Sequence, residues 1–287
     1  MADVLVLGTN GMLGSMVAKV LIKAGHTVSG TNRTGTENNY QFEVGRDSIE
    51  SLIESHPSIN YIVNAIGIIK PRIDETLNES RLSAIQINAI FPHHLASVAG
   101  KKNIQIIQIA TDCVYSGATG MYVEDSNHDP ADIYGKTKSL GEVPSPNVLH
   151  LRASIIGPEQ GRQTSLWEWV RSQKENASLN GFVNHKWNGV STYHFGRICD
   201  GIISNNLKLS GVQHVVPNDV VTKSELVNAI ASASKRGDLK IIDTTAADSI
   251  DRTLSTNSPD LNSLLWDQAG YKTPPRVIDM VYETPLV

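Results

Sequence analysis

The sequence predicts an α/β fold, with a doubly wound parallel sheet followed by a smaller C-terminal substrate-binding lobe. Short β-branched runs alternate with helical stretches through the first 150 residues, which is typical of a parallel sheet covered on both faces. The first run leads straight into a glycine-rich loop, and the alternation stops after Arg152. The predicted strands are residues 4–7, 26–30, 41–44, 61–64, 104–110 and 148–152.

The segment between the first two strands has the spacing of an amphipathic helix. In "MLGSMVAKVLIKAG", apolar residues recur every three or four positions, and Gly25 is suited to end the helix. The residues that we expect on its buried face are Leu13, Val17, Val20, Leu21 and Ala24.

The C-terminal half has a weaker pattern. Residues 156–193 combine aromatic, glycine and polar residues without a steady period, and we assign them to a substrate lobe. "TKSE" at 222–225 has the form of a capping box before "LVNAIA", which predicts the start of a helix. The last stretch predicts two helices separated by Pro274 and Pro275.

We expect the chain to fold into two interleaved parts. We expect residues 1–155 and 194–217 to form the nucleotide-binding domain. Residues 156–193 and 218–287 would then form the substrate-binding lobe.

The composition excludes several classes of protein. The chain has 287 residues, 40% of them hydrophobic, and a net charge of −4 without basic clusters, which argues against nucleic acid or an anionic membrane surface as a partner. Its two cysteines cannot form a disulfide framework, and no spacing indicates a metal site. With no leader-like or membrane-spanning apolar run, we expect a cytoplasmic protein.

The loop after the first strand, "GTNGMLG", predicts a dinucleotide-binding site. Glycine allows a sharp turn and a close approach of a pyrophosphate to the backbone, while the N-terminus of the next helix offers N–H donors. The alternative is a tight turn between strand and helix, but the position directly after a strand favours the ligand. The predicted contacts are Gly8, Asn10, Gly11, Met12, Leu13 and Gly14.

The end of the second strand favours NADP over NAD. An acidic residue here would bind the adenosine ribose of NAD, whereas a basic residue would accommodate a 2′-phosphate. This sequence has no acid but has Asn32 and Arg33. The competing interpretation is that Arg33 is a solvated loop charge.

Tyr134 and Lys138 form a candidate proton-handling pair. They are spaced i and i+4, so both project from one helical face, and an ammonium near a phenol lowers the pKa of the phenol. Taken alone, the spacing also fits an exposed amphipathic helix.

Two strand ends are expected to lie beside this pair. Thr111 follows a buried run, at the sheet edge where open α/β sheets bind ligands. Ala65, Ile66 and Gly67 follow the preceding strand and have the same position.

Taken together, the motifs resemble the extended short-chain dehydrogenase/reductase family, and within it the dTDP-4-dehydrorhamnose reductases and related nucleotide-sugar reductases. The resemblance covers roughly residues 1–200. The motifs that carry it are "GTNGMLG", "NAIG" (64–67), "INA" (87–89), "TDCVYSG" (111–117), "YGKTK" (134–138) and "LRAS" (151–154).

The resemblance implies a Rossmann domain and a role for each motif residue. Tyr134 would be the general acid, Lys138 would hold the nicotinamide ribose, and Thr111 would bind the substrate carbonyl. Asn88 would be the structural asparagine behind the site. Arg152 and Ser154 would run past the nicotinamide. A homodimer is also plausible from this likeness.

The sequence departs from several relatives of this superfamily. Dehydratases have an Asp and a Glu after the active-site Thr, whereas this chain has Asp112 and Cys113, so dehydration is disfavoured. GDP-fucose synthases use a cysteine there with a distant histidine, which Cys113 and His185 could imitate. The alternatives are a space-filling cysteine and a loop histidine without a partner. Rhamnose-type reductases have a tryptophan where this chain has Ile155.

The segment 182–192 lies where the family places a substrate loop. We expect substrate contacts from Asp112 and Cys113 and from this loop, although its residues could equally pack an irregular lobe; Arg162 is a weaker candidate for the diphosphate. The loop candidates are Asn184, His185, Trp187 and Asn188.

The expected activity is NADPH-dependent reduction of a nucleotide-activated 4-keto-6-deoxyhexose, in deoxysugar or polysaccharide biosynthesis. The alternatives are an epimerase-reductase that uses Cys113 and His185, and a non-catalytic NADP-binding regulatory subunit. The regulatory alternative arises because a methionine adenosyltransferase regulatory subunit resembles these reductases.

Overall fold

The computed structural model describes residues 1–36, 39–159 and 165–286. Its strands are β1 (Asp3–Leu7), β2 (Thr27–Asn32), β3 (Asn39–Gln41), β4 (Tyr61–Asn64), β5 (Gln105–Ala110), β6 (Val148–Arg152), β7 (Ile155–Ile156), β8 (Ser178–Phe182), β9 (His185–Trp187), β10 (Val190–Ser191), β11 (Gly211–His214), β12 (Val221–Thr222), β13 (Lys240–Thr244) and β14 (Ile250–Asp251).

The α-helices of the described residues are α1 (Met12–Lys23), α2 (Ile49–Glu54), α3 (Asn78–Ile85), α4 (Phe91–Lys101), α5 (Ile133–Leu140), α6 (Leu166–Arg171), α7 (Thr192–Ser204), α8 (Lys223–Ala233), α9 (Pro259–Gln268) and α10 (Val277–Glu283). A π-helix, Gln86–Ile90, joins α3 to α4 without a break.

The central sheet has seven parallel strands in the order β11-β6-β5-β4-β1-β2-β3. The chain runs outward from β1 in one direction through β2 and β3, and in the other through β4, β5 and β6. The strand order therefore reverses beside β1, which is where open sheets of this kind bind their ligands. The predicted doubly wound fold is confirmed.

Alternation along each strand explains why both faces of the sheet are covered. In β1, Val4 and Val6 enter the core that contains α1 and α7, whereas Leu5 and Leu7 enter the core that contains α2 and α4. Successive side chains of a strand point to opposite faces, so a strand buried on both sides has a continuous apolar run.

Most predicted strands match the observed ones to within two residues at either end. The strand expected at 41–44 is instead Asn39–Gln41, because Phe42 closes the pairing by donating its N–H to the carbonyl of Asn32 and then buries its ring under α2 and α4. The chain turns at Gly45, where φ is +85°. In α1, Ala24 is the exposed C-cap residue and not part of the buried face.

The C-terminal half is more regular than its sequence suggests. The described residues between 156 and 193 contain α6, β8, β9 and β10, and β8 pairs with β13, a strand that was not predicted. The capping box at Thr222 and Glu225 is present, and α9 and α10 flank the two prolines as expected.

One apolar core connects the two halves of the chain. It extends from the sheet and α1 to Trp167, Phe195, Trp266 and Met280. β11 lies in the main sheet and α7 packs on α1. The division into two interleaved domains stays a prediction. Within the described ranges, none of the helices combines the length and apolar character needed to cross a bilayer.

Candidate active site

A cavity of about 340 Å³ opens at the carboxyl ends of β1, β4, β5 and β6. The chain reaches it after each of these strands, so residues that are distant in sequence meet there. Its lining residues are Gly11, Met12, Leu13, Ala65–Ile69, Arg72, Ile109–Cys113, Tyr134, Lys138, Ala153–Ile155 and Glu159.

The loop between β1 and α1 is built for close backbone contact. Gly8 has a φ of +86°, and a Cβ on Gly14 would overlap the carbonyl of Gly8. Gly11 is the N-cap of α1 and provides no side chain to cap the helix, and the first turn of α1 has no acidic residue. The helix N-terminus therefore offers uncapped N–H donors at the cavity, which fits a pyrophosphate. Asn10 lies exposed on the same loop.

The end of β2 has an unsatisfied donor. The Oδ1 of Asn32 accepts hydrogen bonds from the N–H groups of Thr34 (3.0 Å) and Gly35 (2.6 Å). The buried Nδ2 of Asn32 has no partner in the described part of the chain. A buried donor without a partner is costly, so an acceptor from a bound dinucleotide would complete this site. Arg33 is exposed beside it.

The three predicted catalytic side chains converge on the cavity. α5 begins at the N-cap Asp132, whose Oδ1 accepts from the N–H of Gly135 at 2.8 Å, and it presents Tyr134 and Lys138 on one face. Lys138 Nζ donates to the main-chain oxygen of Ile109 at 2.7 Å, which fixes it at the end of β5. Thr111 lies at the same strand end.

Burial dominates the electrostatics of this group. Burial raises the pKa of Tyr134. The nearby Cys113 adds to this rise, and the Thr111 hydroxyl opposes it. Burial lowers the pKa of Lys138 to about 8, against the attraction of Glu142. We expected Lys138 to lower the pKa of Tyr134. The net direction is opposite, because desolvation of the phenolate outweighs nearby favourable contacts. A phenol that retains its proton is suited to act as an acid.

Asn88 ties the loops of the site together. Its Oδ1 accepts from Ile68 N–H at 2.9 Å, and its Nδ2 donates to the Ile68 carbonyl (2.9 Å) and to Thr137 Oγ1 (3.2 Å). Asn88 lies in the π-helix, a local distortion often found at functional sites. The loop after β4 is thereby joined to α5.

Asp112 and Cys113 form the wall next to Thr111. The Asp112 carboxylate accepts from the Thr111 hydroxyl (3.2 Å) and from the Cys113 thiol (3.7 Å). Burial raises the pKa of Asp112, and burial together with the Asp112 charge raises the pKa of Cys113 to about 12. Cys113 is therefore a protonated thiol at neutral pH.

The structure separates Arg152 from Ser154. Ser154 lines the cavity, and its Oγ accepts from Trp187 Nε1 at 2.7 Å. Arg152 is 1% exposed, and its guanidinium does not line the cavity. It donates to Glu142 Oε2 at 2.6 Å and to Tyr115 OH at 2.6 Å. A buried guanidinium needs such partners, which explains why it turns away from the predicted cofactor position.

The predicted substrate loop does not line the cavity. Asn184 and His185 bond the backbone of residues 246–248, with His185 Nε2 lying 2.9 Å from the carbonyl of Asp248. Asn188 is buried and pairs with both backbone groups of Leu254. These side chains hold the segment 246–254 in place. Arg162 lies outside the described residues.

Sequence reasoning missed other groups near the site. Arg72 and Glu159 line the cavity, and Lys70, which pairs with Asp132 at 2.8 Å, ties the loop carrying Arg72 to the start of α5. Lys223 and Arg252 interact electrostatically with Asp112. No local motif distinguishes these residues, because their positions depend on long-range packing.

Comparison with known proteins connects this geometry to a family. The protein-family model for the RmlD substrate binding domain matches residues 1–256 of this chain. The chain is 25% identical to a probable low-salt glycan biosynthesis reductase, Agl14, of Haloferax volcanii, covering 86% of this chain and 85% of that protein. It is 25% identical to methionine adenosyltransferase 2 subunit beta of Xenopus tropicalis, covering 80% and 71% respectively.

Solved structures share the fold. A dTDP-4-dehydrorhamnose reductase from Bacillus anthracis, in complex with NADP, has a TM-score of 0.77 at 18% identity and covers 98% of each chain. MoeE5 in complex with UDP-glucose and NAD has a TM-score of 0.73 at 16% identity, covering 98% of this chain and 96% of that one.

Proposed function

Because this chain belongs to the RmlD substrate binding domain family, we propose that it reduces the 4-keto group of a nucleotide-activated 4-keto-6-deoxy sugar. It is an NAD(P)H-dependent oxidoreductase of the short-chain dehydrogenase/reductase family, related to nucleotide-sugar reductases of glycan biosynthesis. One observation carries the proposal: Thr111, Tyr134 and Lys138 meet in one cavity beside the glycine loop.

The chain's own residues fit a dinucleotide. The glycine loop and the start of α1 would hold the pyrophosphate, and Ala65, Ile66 and Gly67 would flank it. The free Nδ2 of Asn32 and the exposed Arg33 would bind the adenosine ribose and its 2′-phosphate. We therefore favour NADP over NAD, although similar folds carry either cofactor.

The site residues divide the remaining chemistry. When bound, the reduced dinucleotide supplies a hydride. Thr111 Oγ1 positions the carbonyl oxygen of the substrate, and Tyr134 donates the proton that this oxygen gains. Lys138, fixed on the Ile109 carbonyl, would hold the nicotinamide ribose and keep a positive charge beside the phenol. The fixed geometry of these groups supplies alignment.

The epimerase-reductase alternative has less support. Cys113 lines the cavity, but His185 does not, and its Nε2 is engaged by the carbonyl of Asp248. The regulatory alternative rests on the similarity to methionine adenosyltransferase 2 subunit beta. The three convergent catalytic side chains favour an enzyme instead. A homodimer stays a prediction.

Loss of NADPH absorbance on adding a dTDP- or GDP-4-keto-6-deoxy sugar tests this function. We expect Tyr134→Phe to lower kcat at least 100-fold, because a general acid contributes about 10²- to 10⁴-fold, while the Kd for NADPH changes little. Tyr40→Phe, on the exposed face of β3, is the matched control. Full turnover by Tyr134→Phe would contradict the mechanism, and no oxidation with either sugar would favour the regulatory alternative.

A further inference from the structure

Trp187, a predicted substrate contact, lies behind the cavity wall. Its side chain is 8% exposed and packs in the core that both halves of the chain share. The residue ends β9 and lies opposite Val221 of β12 in a small three-stranded sheet. Since Trp187 does not line the cavity, any effect that it has on a ligand passes through a residue that does.

One hydrogen bond connects this indole to the cavity. Trp187 Nε1 lies 2.7 Å from the Oγ of Ser154, a cavity-lining residue between β6 and β7. An indole nitrogen can donate a hydrogen bond but cannot accept one. The direction of this bond is therefore fixed: the Ser154 oxygen accepts, and the hydrogen of its hydroxyl is left to donate elsewhere.

The backbone around Ser154 is held by the same segment. The Ser154 carbonyl accepts from the N–H of Val190 at 2.8 Å, and Ile155 pairs with Val190 between β7 and β10. A Cβ on Gly189 would overlap both the Ser154 carbonyl and the Trp187 ring, so a residue without a side chain lets the two segments approach this closely. The segment after β9 thus fixes the main chain of Ser154 as well as its side chain.

The hydroxyl hydrogen of Ser154 has no acceptor among the residues that the structure describes. Ser154 is half-buried, and its one described side-chain bond is the one that it accepts from Trp187. A partly buried donor without a partner is unfavourable. Because Ser154 lines the cavity, an oxygen of a bound ligand is the partner that would satisfy this hydroxyl.

We propose that Trp187 is a positioning residue, whose indole N–H fixes Ser154 so that the Ser154 hydroxyl donates to an uncharged oxygen of the bound ligand. The acceptor is either the carboxamide oxygen of the nicotinamide or an oxygen of the sugar. Donation by the indole also strengthens the second bond, since hydrogen bonds in a chain polarise one another. The inference rests on the proposed function in that the ligands are NADPH and a nucleotide sugar.

Calorimetric titration of Ser154→Ala, Trp187→Phe and the double variant tests the pair without requiring turnover. The first ligand is NADPH. The second, added to NADP⁺-saturated protein, is whichever of dTDP-glucose, UDP-glucose and GDP-mannose the wild type binds best. Trp266→Phe is the matched control, because Trp266 is also buried and its Nε1 donates at 2.9 Å to the carbonyl of Val216, which does not line the cavity.

We expect Ser154→Ala to weaken at least one ligand about three- to tenfold, which is the size of one neutral hydrogen bond. Trp187→Phe should weaken the same ligand. The double variant should bind no more weakly than Ser154→Ala, because Trp187 acts only through that hydroxyl. A loss for NADPH alone places the acceptor on the nicotinamide, and a loss for the nucleotide sugar alone places it on the sugar.

Several results would overturn the proposal. They are unchanged affinity for both ligands in Ser154→Ala or in Trp187→Phe, additive losses in the double variant, and a loss in Trp266→Phe equal to that in Trp187→Phe. A wild type that binds neither ligand would overturn it too. Ser154→Thr retains the hydroxyl and should recover affinity relative to Ser154→Ala.

NMR of the Trp187 indole N–H gives a readout in the folded wild type. Its resonance is assigned by its absence from the spectrum of Trp187→Phe. Ligand should shift this resonance in the wild type but not in Ser154→Ala, and an unshifted wild-type resonance would contradict the proposal. Thermal unfolding identifies variants that lost affinity through misfolding, and for these the comparison of the wild type with Ser154→Ala decides.

These outcomes are separable from those of the proposed reaction. If Ser154 and Trp187 contribute to binding but the wild type oxidises NADPH with none of the 4-keto sugars, the reductase is refuted and the positioning role stands. If turnover depends on Tyr134 as proposed and Ser154→Ala binds both ligands like the wild type, the positioning role is refuted and the reductase stands.

Discussion

Burial and one nearby carboxylate shift the pKa of Lys138 in opposite directions. Burial lowers its pKa to about 8, and Glu142, four residues further along the chain, resists that shift. Glu142 is itself fixed by Arg152, whose Nε and Nη2 donate to its two oxygens at 3.1 and 2.6 Å. The charge state of the lysine at neutral pH therefore depends on a buried pair behind it.

Glu142→Gln should move the alkaline limb of kcat/KM to lower pH. In the proposed mechanism Lys138 must be charged. Its positive form is lost as pH rises through its pKa, and removing an anion lowers that pKa further. A shift of about one pH unit corresponds to about 1.4 kcal/mol of lost attraction. Titration of Lys138 by NMR in the cofactor-free protein provides a readout that does not depend on activity.

Glu124→Gln is the matched control, because Glu124 belongs to the same buried cluster through His214 but is not among the charges that shift Lys138. Glu142→Asp keeps the charge and should restore most of the profile. Equal pH profiles for Glu142→Gln and the wild type would show that Glu142 is only a partner for Arg152.

The sequence predicted these residues unevenly. Tyr134, Lys138 and Thr111 could be found because helical spacing and a strand end are local features. Arg152 was assigned to the wrong environment, since nothing near it in sequence reveals that Glu142 and Tyr115 would enclose its guanidinium. Lys223 was missed for the same reason: its neighbour Asp112 is distant along the chain.

At the scale of elements, the β1–α1 loop determines how closely a ligand can approach. A Cβ added to Gly14 would overlap the carbonyl of Gly8 and would lie 3.3 Å from the Cβ of Ala65. The strand, the helix and the loop after β4 therefore meet with no space for another atom.

Regular periodicity made β1, α1 and β5 predictable from the sequence. β13 and the π-helix could not be predicted, because they depend on tertiary pairing.

Gly14→Ala should weaken NADPH binding at least tenfold and lower the free energy of unfolding by about 2 kcal/mol, because overpacking of this size has such costs. Fluorescence titration with NADPH and urea unfolding measure the two effects. Gly237→Ala is the control, since an added Cβ there meets no atom within 4 Å. Normal cofactor affinity in Gly14→Ala would argue against a pyrophosphate at this loop.

At the scale of the whole molecule, buried histidines link stability to pH. His194, at the start of α7, has its pKa lowered to about 4, chiefly by burial and against the attraction of Glu283 in α10. The unfolded chain binds a proton near pH 6.5 and the folded chain only near pH 4. Stability is therefore full above about pH 6.5 and falls as pH decreases toward 4.

His194→Gln should flatten this dependence. Between pH 7 and pH 5 the protonation of this histidine lowers the free energy of unfolding by about 2 kcal/mol. The free energy of unfolding of the variant should therefore fall by about that much less over the same pH range. Urea unfolding at both pH values measures the difference. His94→Gln, an exposed histidine paired with Glu50, should retain the wild-type slope, and an equally steep slope in His194→Gln would contradict the assignment.

The common core has a consequence for where this protein can be divided. The family match ends at residue 256, yet α9 and α10 insert Leu265, Trp266, Val277 and Met280 into the interior shared with the sheet. A boundary drawn from homology alone would leave that interior open to water. Anyone who shortens this chain, or grafts a new specificity segment onto it, must carry the last two helices along with the catalytic half.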